Sequence, residues 1–281
     1  MPEAERPIPV GYPLDTGIMK KNLRVSVLMP VFNERATVTH AVARVRAVLN
    51  NAEIICVDDC STDGTRAILE QLLSAGHIDQ LVLHETNHGK GYGIRSALER
   101  ASGDVVVIQD ADLEYDPEDL LKLLAPIQDG RADAVFGSRF KGDVSRVLYY
   151  WHSLGNWFLT TVSNMLTNLN VSDMETCYKM VRTDLMKSLP LTSDRFGFEP
   201  ELTARLAQAR ARIYEVPISY SGRTYAEGKK IRWTDGVAAF WHILKFNVLS
   251  GKAPVYMSSV GSISPKTAAT AEPQSLRAAA Q

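Results

Sequence analysis

The apolar residues of this chain fall into short solid runs separated by stretches of helical periodicity. The runs at 23–33 (LRVSVLMPVFN), 52–60 (AEIICVDDC), 79–85 (DQLVLHE), 104–110 (DVVVIQD) and 132–140 (ADAVFGSRF) are rich in β-branched residues and close on polar turns, which predicts five strands. Between them, 34–50, 61–76, 87–103 and 116–130 carry apolar residues at helical spacing. Ser, Thr or Asp caps open the second helix, Gly76 and Gly103 close the second and third, and Pro117 lies near the first turn of the fourth. Strands apolar on both faces, alternating with helices, predict an α/β fold with a mostly parallel sheet flanked by helices. In such sheets ligands bind at the carboxyl ends of the strands. Those ends read PVFNE, VDDCS, NHGKG, QDAD and GSRF, polar and either glycine-bearing or acidic.

The second half has a different texture. The segment 153–171 (SLGNWFLTTVSNMLTNLNV) holds no charged residue and repeats Trp157, Phe158, Thr161, Val162, Met165, Leu166 and Leu169 at helical spacing. Residues 196–209 read as a helix, 212–220 as a strand, and 236–251 as a C-terminal amphipathic helix. The expected organisation is an N-terminal extension over 1–22, one domain over 23–235, that helix, and a disordered Ala/Ser/Thr/Pro-rich tail over 252–281.

Bulk composition narrows the function classes. The chain has 281 residues, 45% of them hydrophobic, enough for a large α/β domain with a substantial core. Its formal net charge of -1 gives no general attraction to nucleic acid. Cys56, Cys60 and Cys177 make neither a metal pattern nor a disulfide framework, which predicts reduced thiols in a cytosolic protein. The polar, Pro-rich start has no apolar leader core, and no run reaches the ~20 apolar residues of a membrane span.

The near-zero net charge hides a sorting of charge. Between 105 and 120, six carboxylates (Asp110, Asp112, Glu114, Asp116, Glu118, Asp119) follow a buried strand with no Lys or Arg among them. Between 205 and 232, seven Lys or Arg stand against two acids, Glu215 and Glu227. Asp116, Glu118 and Asp119 read as helix-start acids favoured by the macrodipole. Asp110 and Asp112 precede the helix by several residues, and two carboxylates two residues apart can converge on Mg²⁺ or Mn²⁺. An EF-hand is excluded, because Tyr115 stands where that loop needs Gly and Leu121 where it needs Glu. Asp58 and Asp59 can accept hydrogen bonds from a base or ribose, or cap their own loop. The GKGYG loop meets neither the dinucleotide nor the Walker A spacing, since Ile94 and Gly91 occupy the deciding positions.

Taken in order, MPVFNE, VDDCSTDGT, NHGKGYGIRSALERASGD, QDADLEYDPEDL and VFGSRF resemble the family 2 glycosyltransferases with the GT-A fold, from about Leu23 to Ile231. DMETCYKMVR, FGFEPELTARLA and SYSGRTYAEGKKI are most similar to the dolichol- or polyprenyl-phosphate sugar synthases within that family. The resemblance implies that Pro30, Phe32, Glu34, Asp58 and Asp59 hold the nucleoside of a UDP- or GDP-sugar, with Lys90 and Gly91 beside the nucleotide. It implies that Asp110-Ala111-Asp112 is the DxD motif holding Mg²⁺ or Mn²⁺, with Glu114 as a third ligand where relatives often have Gln. Arg139 and Arg223 are then expected to face phosphate, and Lys229 and Lys230 to clamp the diphosphate.

The implied acceptor decides the remaining chemistry. A polyprenyl phosphate, with a second pKa of about 6, is already ionised and needs cationic guidance, which favours Arg139 and Arg223. A sugar hydroxyl needs a general base, for which Glu199 and Glu201 are the candidates, Glu201 being equally suited to burial against Arg139 or Arg223. The uncharged segment 153–171, with Tyr149, Tyr150, Trp151 and Trp157, suits core packing, a homodimer contact, or a peripheral position at the cytoplasmic membrane face.

Overall fold

A computed structural model describes residues 22–142, 146, 149–224 and 233–257. In chain order its elements are β1 (Val25–Val31), α1 (Val38–Val48), β2 (Glu53–Asp58), α2 (Thr65–Ser74), β3 (Gln80–Leu83), α3 (Lys90–Arg100), β4 (Val105–Ile108), α4 (Asp119–Gln128) and β5 (Ala134–Ser138). They continue with α5 (Tyr150–Thr167), β6 (Lys179–Arg182), α6 (Thr183–Ser188), α7 (Phe198–Gln208), β7 (Ile213–Pro217) and α8 (Trp233–Leu244), which runs on into a π-helical turn, Lys245–Leu249.

Strand alternation sets the layers. Val25, Val27, Met29 and Val31 of β1 enter one core with the buried faces of α1, α2 and α4. Leu28 enters a second core, on the other face, with α3, α6, α7 and α8. All five predicted strands and their helices form, and the sheet order is β3-β2-β1-β4-β6-β5-β7.

One strand was not expected. β6 lies antiparallel between β4 and β5, which sequence order alone would have made neighbours. The missing signal is chemical. Lys179 and Arg182 interrupt its apolar pattern, yet they are 1% and 7% exposed. Lys179 Nζ is satisfied by the carbonyl oxygens of Met174 (2.7 Å) and Thr176 (2.5 Å) and sits over the Phe136 ring.

The expected N-terminal extension (1–22) lies almost wholly outside the described residues, as does most of the expected tail (252–281). The described part of that tail is packed. Ala253 N donates to Gln208 Oε1 (2.9 Å), Tyr256 N to Ala209 O (2.9 Å), and Tyr256 Oη to Asp184 Oδ2 (2.9 Å). No described helix is long and apolar enough to cross a membrane.

Candidate active site

The loops leaving β1, β2 and β4 each carry a non-glycine residue in the left-handed region: Asn33 (φ 53°), Cys60 (φ 64°) and Leu113 (φ 65°). This conformation costs about 1–2 kcal/mol and persists where surrounding contacts over-determine it, often at functional sites. At Leu113 it separates two acids that reach one guanidinium. Arg223 Nη2 lies 3.1 Å from Asp112 Oδ2 and 3.3 Å from Glu34 Oε1, and its Nε lies 3.4 Å from Glu114 Oε1. Arg223 N also donates to Glu114 Oε1 at 2.9 Å.

Asp110 faces a second cation. Lys90 Nζ, at the start of α3, is 3.1 Å from Asp110 Oδ2, 2.9 Å from Glu199 Oε1 and 2.7 Å from Cys177 Sγ. Ala111 between the two aspartates is buried in the core. The acids at the end of β4 thus receive their counter-charge from distant parts of the chain. Burial works against the Lys90 ammonium, but Asp110, Cys177 and Glu199 hold its pKa well above the usual lysine range. Burial pushes the Asp112 carboxyl up to about 7, helped by the charges of Asp110 and Glu114, against the opposing pull of Glu114 N and Arg223.

A divalent cation fits this donor set. Asp110 and Asp112 offer hard oxygen ligands, and a carboxyl that resists ionisation among like charges gains most from added positive charge. Among the described residues no three His, Cys, Asp or Glu side chains converge as metal ligands. An ion here would therefore complete its shell with substrate or water oxygens. Glu114, expected as a third ligand, is engaged by Arg223 and by Tyr220 Oη (2.8 Å).

The other strand-end acids are tied into their own loops. Asp58, fully buried, accepts from Arg66 Nε (2.8 Å). Asp59 accepts from His88 N (3.0 Å) and Gly89 N (2.7 Å), and its Oδ1 is 2.8 Å from His84 Nδ1. Burial opposes ionisation of Asp59, but the His84, His88 and Gly89 hydrogen bonds hold its pKa below the usual carboxylate range. Phe32 is 38% exposed and Pro30 half-buried beside them. Gly91 is buried, and a side chain there would collide with the Ser193 carbonyl, so its smallness serves a close approach. Lys229 and Lys230 lie outside the described residues.

Two readings of the late charges change. Among the described residues, the basic side chains from Arg205 onward do not form one surface. Arg205 is buried against Glu201, and Arg212 pairs with Asp133 (2.7 Å), which also accepts from the Arg212 backbone N–H (3.0 Å). Glu201, a base candidate by sequence, is fully buried. Its oxygens accept from Thr192 N (3.0 Å), Thr192 Oγ1 (2.9 Å) and Ser193 N (2.7 Å). No acceptor can reach it, and its work is to hold the loop that packs on Gly91. That loop also caps α3, because Asp194 O accepts from Tyr92 N (3.0 Å). Glu201→Ala is expected to lower stability by about 3 kcal/mol, since it strands buried donors, as read by thermal or urea unfolding. Glu201→Gln is expected to recover part of that loss.

Arg139 and its surroundings were only partly visible in the sequence. Its guanidinium forms a fork with fully buried Asp173, Nε to Oδ2 at 2.6 Å and Nη2 to Oδ1 at 2.7 Å. Nη2 also donates to Asn156 Oδ1 of α5 (3.2 Å), and the guanidinium lies 5.1 Å from the Tyr220 ring centre. Tyr220 therefore links Arg139 to Glu114. Asp173, Cys177 and Tyr220 were missed as site residues; DMETC and SYSGR held the signal, but they carry no spacing that reads as chemistry on its own.

The sequence profile described as Glycosyl transferase family 2 matches residues 26–189. The hexosyltransferase Agl6 of low-salt glycan biosynthesis in Haloferax volcanii is 30% identical over 84% of this chain, which spans only 55% of that protein's length. Undecaprenyl-phosphate mannosyltransferase of Micrococcus luteus is 30% identical over 79% of this chain and 98% of its own length. Polyprenol monophosphomannose synthase of Mycolicibacterium smegmatis is 28% identical over 76% of this chain and 84% of its own. Among solved structures, glucosyl-3-phosphoglycerate synthase from Mycobacterium tuberculosis, crystallised with Mn²⁺, UDP and glucosyl-3-phosphoglycerate, superimposes with a TM-score of 0.63 at 20% identity, over 80% of each chain, and shares the fold. The family profile covers more than half of the chain, and a relative of nearly matching length supports it: this protein is a glycosyltransferase of family 2 with the GT-A fold.

Proposed function

We propose that this enzyme moves a hexose or N-acetylhexosamine from a UDP- or GDP-sugar to a polyprenyl phosphate, with a divalent metal and with inversion at the anomeric carbon. The observation that carries the acceptor is the place of Arg139. Its guanidinium is hydrogen-bonded to Asn156, whose helix α5 presents an exposed aromatic face. Trp151 and Trp157 of α5 are 76% and 62% exposed, and Trp241 of α8 is 54% exposed. A cationic site beside exposed aromatic surface suits an amphiphile with an ionised head and a hydrocarbon tail. The names of the Micrococcus and Mycolicibacterium relatives point the same way.

Within this reading Asp110 and Asp112 would hold Mg²⁺ or Mn²⁺, which would polarise the donor diphosphate when bound. Lys90 and Arg223, each already among carboxylates, stabilise charge gathering on the leaving diphosphate oxygen. Arg139 orients the acceptor phosphate, held in place by Asp173. A single in-line displacement inverts the anomeric centre. The hydroxyl-acceptor reading loses support because Glu201 is sealed and Glu199 is bound to Lys90.

The test is a panel of UDP- and GDP-sugars with Mg²⁺ or Mn²⁺, with and without a short polyprenyl phosphate. Nucleoside diphosphate release that requires both lipid phosphate and metal supports the proposal; release driven only by hydroxyl acceptors sinks it. Membrane contact has its own check. Trp157→Ser is expected to weaken co-sedimentation with phospholipid vesicles roughly tenfold, the scale of one large apolar side chain lost from the interface.

A further inference from the structure

Three buried side-chain polar atoms have no hydrogen-bond partner on Asn156, which bonds Arg139, and on the segment just after Asp173: Asn156 Nδ2, Glu175 Oε1 and Thr176 Oγ1. Asn156 touches Arg139 directly, and Glu175 and Thr176 follow Asp173 by two and three residues. Buried polar groups are nearly always paired, so orphans on the residue that bonds Arg139 and on the segment that follows its partner Asp173 ask for a ligand. The same short segment reaches the donor side, because Cys177 Sγ contacts Lys90. Glu175 therefore belongs to a segment that runs from the acceptor arginine to the donor lysine.

We propose that Glu175 is an acceptor-binding residue whose carboxyl hydrogen-bonds to a phosphate oxygen of the acceptor held by Arg139. This rests on the lipid-phosphate reading above. The other carboxylates nearby have different work: Asp173 holds Arg139, and Glu199 holds Lys90. Of these three, Glu175 has a buried carboxyl oxygen without a partner. Burial raises its pKa to about 8, with Glu199 and Asp173 adding repulsion and Lys179 and Arg139 opposing. A carboxyl raised in this way keeps its proton at neutral pH and donates. Above about 8 it becomes a carboxylate and repels a phosphate. Since the acceptor's second ionisation lies near 6, acceptor binding is best between about pH 6 and 8.

The experiment measures acceptor KM and kcat from pH 6 to 9.5, with the full-length protein, a short polyprenyl phosphate as acceptor and saturating donor. For the wild type, acceptor KM is expected to rise about tenfold per pH unit above 8, with donor KM flat. Glu175→Gln keeps a donor and cannot ionise, so its acceptor KM is expected to lose the alkaline rise. Glu175→Ala is expected to raise acceptor KM roughly tenfold at pH 7, the scale of one lost hydrogen bond to a charged group. An alkaline rise that persists in Glu175→Gln overturns the proposal while leaving the lipid-phosphate reading intact. A Glu175→Gln protein that folds, by circular dichroism, but has lost kcat also overturns it, because the ionised form is then the working one. Wild-type protein that transfers sugar only to hydroxyl acceptors overturns both.

Discussion

Asp112→Ala is expected to reduce sugar transfer by on the order of 10³-fold or more, with the fold intact. Asp112 is one of the two carboxylates that would hold the metal, and it also fixes Arg223 at 3.1 Å. Its loss therefore removes a ligand and releases the arginine. The variant should not unfold the protein. Burial, with the charges of Asp110 and Glu114, pushes the Asp112 carboxyl up to about 7 in the fold from an ordinary 3.8. The folded protein thus keeps a proton that the unfolded chain has lost, so this group takes stability away as pH rises from about 4 to about 7. Asp112→Asn should accordingly melt higher than wild type at pH 8 without metal, and equally at pH 4. Metal affinity of the wild type, by titration calorimetry, should fall about tenfold per pH unit below 7, because the ligand must first lose its proton. An Asp112→Ala protein with full turnover would refute the metal assignment.

Arg139→Ala should be the most damaging change on the acceptor side. It leaves the fully buried Asp173 carboxylate without its bidentate partner, a loss of about 3–5 kcal/mol in buried ion pairs. For a chain of this size a melting temperature lower by roughly 6–12 °C is expected. In the fraction that remains folded, acceptor KM should rise about a hundredfold while donor KM stays within about threefold. Arg139→Lys should restore much of the stability but little of the acceptor affinity, since an ammonium cannot form the two-pronged contact. In the sequence Arg139 stands without its partners; the structure shows the fork to Asp173 and the bond to Asn156 that fix the guanidinium in place and link it to α5.

The legible part of this fold lies where chemistry and periodicity agree. β1, β2, β4 and β5 are solid apolar runs, and each was visible with its following polar turn. β6 was hidden because its buried lysine and arginine look like surface charge until their carbonyl and carboxylate partners are known. The site divides in the same way. Two aspartates in an acid-rich turn without a cation announce a missing positive charge, and Arg223 and Lys90 supply it across 111 and 20 residues of sequence. Glu201 could not be told from a catalytic carboxylate by its neighbours in sequence. Only its four bonds to Thr192 and Ser193 identify it as a loop anchor. Asp173 and Glu175 sit in a segment with no periodicity, so their roles depend wholly on where the chain returns in space.

The most direct test of the account is the chemical form of the lipid phosphate after reaction. A short polyprenyl phosphate incubated with enzyme, Mg²⁺ or Mn²⁺ and the accepted nucleotide sugar should show, by ³¹P NMR, conversion of the monoester to a sugar phosphodiester. The anomeric configuration should be opposite to that of the donor. A monoester left unchanged while sugar appears on a hydroxyl acceptor, or a phosphodiester that retains the donor configuration, would contradict it.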